Sequence, residues 1–75
     1  MKVQNSIVSV FKTSVTNKRL SEKIVKEIML HNQVIACNFD LKDCDKILRI
    51  VSKSLISEKV IAYHMNRGLV CEELI

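Results

Sequence analysis

Val34-Ile35-Ala36-Cys37-Asn38-Phe39-Asp40-Leu41, then Lys42-Asp43-Cys44-Asp45-Lys46, then Ile47-Leu48-Arg49-Ile50-Val51: this central stretch decides the fold. In the first run Ile35, Cys37, Phe39 and Leu41 alternate with Ala36, Asn38 and Asp40. That period of two belongs to a strand with one buried face. The aspartate-rich segment that follows reads as a turn, because Asp side chains bond nearby backbone amides. The last run sets Leu48 and Ile50 on one face and Ile47, Arg49 and Val51 on the other. Together the two runs form a hairpin.

Working outward, Ile7-Val8-Ser9-Val10-Phe11 is β-branched and aromatic, and predicts an earlier strand within Val3 to Thr13. Val8 and Val10 share one of its faces, and Ile7, Ser9 and Phe11 the other. Thr16 suits a helix N-cap, with Val15 and Leu20 placed as a hydrophobic staple. The helix is expected over Asn17 to Leu30, with Leu20, Ile24 and Ile28 in a stripe beside Val25. Beyond the hairpin, Ser54 can cap a second helix from Leu55 to Asn66. Its stripe is Ile56, Val60, Ile61 and His64, and Gly68 fits the left-handed position that closes it. Val70 to Leu74 predicts a last short strand.

The order β-α-β-β-α-β predicts an α+β fold, a ferredoxin-like two-layer sandwich with antiparallel strands in spatial order 4-1-3-2. Three connections then meet at one end: Thr13 to Asn17, Leu41 to Lys46, and Asn66 to Val70. The helix-covered face is expected to hold Val8, Val10, Cys37, Phe39, Leu48, Ile50 and Cys71. Phe11, Ala36, Ile47, Val51 and Val70 are then left on the open face.

Seventy-five residues make a single domain, 1–75. Hydrophobic residues at 48% and charged residues at 27% exclude a disordered tail, and one Gly without Pro excludes linker-like repeats. A formal charge of +4 suits acidic partners without by itself indicating nucleic acid. Three cysteines do not make an even disulfide framework, and no apolar leader follows Met1. A reducing, cytoplasmic setting without a membrane span is the expectation.

Beyond the element order, Val10-Phe11-Lys12-Thr13, Asn38 through Asp45, Leu48-Arg49-Ile50 and Gly68-Leu69-Val70-Cys71-Glu72 carry a resemblance. Over about Val8 to Leu74 the chain resembles the heavy-metal-associated domain. That is the fold of small copper chaperones and of the N-terminal modules of metal-pumping ATPases. The resemblance implies the sandwich architecture and docking onto partner proteins. It departs at the family's Cys-x-x-Cys, which holds Cu(I) or Zn(II) in the loop after the first strand. Thr13-Ser14-Val15-Thr16-Asn17-Lys18-Arg19-Leu20 has no Cys, His or Met, so that activity does not carry over. Leu69 also stands where the family has an aromatic residue.

A divergent Cu/Zn carrier could use Cys44, Cys71 and His64 instead. Strand separation opposes it, since the third and fourth strands lie about 10 Å apart across the first. Cys37 reads as core. Asp40, Asp43 and Asp45 lack the length, glycine and closing Glu of a calcium loop. Lys12, Lys18, Arg19 and Lys23, with Lys26, are candidates for docking an acidic partner. Phe11, Ile47, Val51 and Val70 are candidates for a dimer face. RNA-recognition modules share the strand order, but their aromatics on the central strands are missing, so no nucleic-acid partner is expected. No phosphate loop, nucleophile elbow or triad can be named, so the chain is not expected to be an enzyme. The expectation is a non-catalytic binding module without a cofactor, acting on a protein partner or as a homodimer. A regulatory small-ligand-binding dimer is the further alternative.

Overall fold

The computed structural model describes residues 6–74. Six elements follow in order: β1 (Ile7–Thr13), α1 (Lys18–Met29), β2 (Val34–Asp40), β3 (Ile47–Ser52), α2 (Ser57–Met65) and β4 (Cys71–Glu73). The four strands form one sheet in the order β2-β3-β1-β4, with every adjacent pair antiparallel. The chain is therefore α+β. The expected start of the first strand at Val3 lies outside the described residues.

The core is one cluster. Phe11 from β1 and Leu48 and Ile50 from β3 meet Ile24 and Ile28 of α1 and Val60 of α2, with Val15, Ile56 and Cys71 closing its margins. Burying these side chains is the main favourable term in so small a chain. Ile24 and Ile28 are four apart, which stacks them on one face of α1.

One expectation about the core is overturned. The sequence pattern places Val8 and Val10 on the helix-covered face and Phe11 on the open one, and the structure reverses this parity. Phe11 is fully buried, Val8 is 60% exposed and Val10 is half-buried. Phe11 is therefore part of the core and not of a dimer face. The cause lies at the end of the strand. Thr13 is buried, and its hydroxyl bonds backbone groups on both sides of it. With Thr13 turned inward, alternation brings Phe11 and Ser9 inward too. The pairing Phe11–Leu48 and Ser9–Ile50 agrees, and one phenyl ring fills the centre of the core.

Both helices start later than their side chains suggest. Asn17, not Thr16, caps α1, its Oδ1 accepting from Leu20 N at 3.0 Å. Val15 is held in the core and Ser14 is bonded to Val70, so the chain turns outward only after them. Ser54 does not cap α2. Its carbonyl accepts from the Ser52 hydroxyl at 2.7 Å, and the cap position falls to Ile56, without a side-chain bond. Gly68 takes φ +73°, the left-handed conformation that only glycine adopts without cost.

Candidate interaction surfaces

The three connections do converge, and they meet at Thr13 and Ser14. Thr13 N donates to Asp45 O at 3.1 Å, and Thr13 Oγ1 donates to Lys46 O at 2.7 Å. Ser14 and Val70 exchange two bonds, Ser14 N to Val70 O at 3.1 Å and Val70 N to Ser14 Oγ at 2.9 Å. Lys46 is held at φ +49° by this docking and by its own N–H to Asp43 O. These bonds use the loop's polar groups to join the chain to itself.

That loop does not fit a soft ion. Val15 is buried, Asn17 is engaged as a cap, and no thiol or imidazole lies between Thr13 and Leu20. The alternative set is not gathered either. Cys44 is exposed in the β2–β3 turn, whereas Cys71 and His64 are buried. Among the described residues, the one group of three or more His, Cys, Asp or Glu ligand atoms within 4.8 Å of one another is Asp43, Cys44 and Asp45. Neither His64 nor Cys71 belongs to it. Burial pushes the Cys71 thiol up to about 12, with Glu73 adding to the effect, and the Cys37 thiol up to about 11. Both therefore stay protonated at neutral pH and are poor ligands and nucleophiles.

His64 packs inward on α2 with its Nδ1 2.8 Å from Val60 O, so Nδ1 carries the proton and donates. Its Nε2 is buried without a partner among the described residues. Burial holds its pKa below the ordinary value, and the Arg67 charge lowers it further against the opposing Val60 bond. Nearby, the Tyr63 hydroxyl donates to Glu27, and Arg67 reaches the same carboxylate at 3.2 Å while lying 3.7 Å over the Tyr63 ring. This network joins α1 to α2, and the sequence reading missed it because Glu27 and Arg67 are 40 residues apart.

The basic candidates are dispersed. Lys12 lies on the open face of the sheet, 3.9 Å from Asp45. Arg19 and Lys23 are exposed on α1. Lys18 alone of the four faces the gap between α1 and β2, where Lys26, Lys42 and Arg49 join it. This gap is a groove of about 1030 Å³ along the free edge of β2. Val25 and Phe39 give it an apolar floor.

The open face of the sheet is ordered in rows by the strand register. Ala36, Val51 and Val8 form one row, Asn38, Arg49 and Val10 the next, and Asp40, Ile47, Lys12 and Glu72 the third. The face is thus apolar at one end and charged, with both signs, at the other. Ile47 and Val51 are half-buried members of it, and Val70, 63% exposed, lies just before β4. None of the described helices is long and apolar enough to cross a membrane. No family model, curated protein or solved structure matches this chain.

Proposed function

We infer that this chain is a non-catalytic protein-binding module. In this reading it has a ferredoxin-like sandwich, similar to a heavy-metal-associated domain without the thiol pair, and acts as a homodimer through the open sheet face. One observation carries the reading. The uncovered face presents Val8, Val10, Ala36, Ile47 and Val51, interrupted by Asn38 and Arg49 and bordered by Lys12, Asp40 and Glu72. An apolar patch rimmed by charge is what an association surface needs. A rim with both signs is also self-complementary under a two-fold axis, where each cation can meet the other copy's carboxylate.

Light scattering over a concentration series tests this. The parent chain is expected at twice the monomer mass, and Val51→Lys at monomer mass with an unchanged circular dichroism spectrum. A parent that stays monomeric at its solubility limit overturns the reading. So does a Val51→Lys variant that keeps the dimer mass, because the contact then lies elsewhere.

A further inference from the structure

The sheet has two edges, and they are not equivalent. β4 is three residues long, whereas β2 is seven. Edge strands are normally guarded by shortness, Pro, charge or bulges, because their outer N–H and C=O groups invite another strand. β4 is guarded by its length. β2 has no Pro or Lys, and its one charge, Asp40, stands at its end with its carboxylate accepting from Lys42 N. Its single guard is the register shift between Val34 and Ala36, which spoils pairing at Ile35 and leaves Ala36 to Asp40 regular.

The groove beside this free edge is cationic. Lys18 and Lys26 reach it from α1, Lys42 from the turn and Arg49 from the open side of the sheet, against Glu22 and Asp40. Among the described residues none of these four cations makes an ion pair within 4.0 Å. Half-buried Phe39 and Val25 lie between them.

We propose that the β2 edge, with its cationic groove, binds an acidic extended segment of a partner protein as a fifth strand. Main-chain hydrogen bonds to Ala36 through Asp40 supply the pairing. Aliphatic side chains of the segment settle on Val25 and Phe39, and its carboxylates meet Lys18, Lys26 and Lys42. A second copy of this chain is disfavoured as the occupant, because β2–β2 pairing brings two sets of these cations together on a chain already at +4. The pairing edge is distinct from the open face, although Asn38, Asp40 and Arg49 border both, and strand addition does not require the dimer.

The test is a titration of the ¹⁵N-labelled full chain with a peptide of about eight residues in a Val-Val-Glu-Glu repeat, which puts both side-chain types on the α1 side and is long enough to span the edge. The expected result is saturable amide shifts confined to residues 36–42 and to the α1 residues lining the groove. Lys26→Glu, an exposed substitution, is expected to weaken binding about tenfold with the fold intact. The same peptide N-methylated at alternate residues keeps its charge but cannot pair, and is expected not to bind. Val51→Lys, which disrupts the dimer face, is expected to bind the peptide as the parent does.

Equal binding of the N-methylated peptide overturns strand addition. Equal binding of a Val–Lys peptide overturns the charge argument. Shifts of the same residues by a single-stranded oligonucleotide at lower concentration than by the peptide overturn the choice of a protein ligand. Saturation by protein concentration alone, with a mass increase that Lys26→Glu enhances, overturns it in favour of a second copy.

Discussion

Thr13 Oγ1 donates a 2.7 Å hydrogen bond to the carbonyl of Lys46, 33 residues away, and accepts from Val15 N at 3.2 Å. One hydroxyl therefore ties the end of β1 to the β2–β3 turn and to the approach of α1. Thr13→Val keeps the shape and removes both bonds, leaving a part-buried carbonyl and a buried amide to find other partners. The expected loss is about 1–3 kcal/mol, read as a lower urea midpoint with an unchanged slope. Thr13→Ser is expected to retain most of the stability. A valine variant as stable as the parent would remove Thr13 from this role.

Ser9 is the opposite case. It is buried on β1 opposite Ile50, and its hydroxyl has no partner among the described residues. An unpaired buried hydroxyl costs about 1–3 kcal/mol relative to a methyl group's fate in the same place. Ser9→Ala is expected to raise the urea midpoint. A fall would mean that the hydroxyl has a partner, such as a buried water.

His64 sets a pH dependence. Its folded pKa lies below the ordinary histidine value, so the unfolded chain binds its proton more readily. Its contribution is complete above about pH 6.5, the unfolded value, and is lost as pH falls below it. Glu27 has a lowered pKa as well, led by the Tyr63 bond, but its contribution falls only below the carboxylate range. Chemical denaturation between about pH 7.5 and 5.5 therefore isolates His64. Stability is expected to decline across that window in the parent and to flatten in His64→Gln. An equal decline in both would assign the effect to another group.

The thiols are expected to react in two classes. Cys44 is exposed, while Cys37 is half-buried and Cys71 buried, both with raised pKa values. A disulfide reagent at neutral pH should label one thiol rapidly and the other two only on unfolding. Rapid labelling of all three in the native state would contradict the packing of β2 and β4 against the helices.

The number, type and order of the elements were legible from local chemistry. Period-two alternation marks β2 and β3, four-residue spacing marks α1, and Gly68 marks the end of α2, each through neighbours a few residues apart. The inward choice of Phe11 was not legible. Both faces of β1 carry apolar residues, so alternation alone leaves two parities open, and a bond from Thr13 to a residue 33 positions away selects one. The same holds for the interaction surfaces. Lys12, Lys18, Arg19 and Lys23 are neighbours along the chain, yet packing sends them to different sides of the molecule. Lys42 and Arg49 meet Lys18 and Lys26 only because the hairpin folds against α1. Short-range periodicity is written in the order of residues, whereas the company a side chain keeps across the sheet depends on contacts that exist only once the chain has closed on itself.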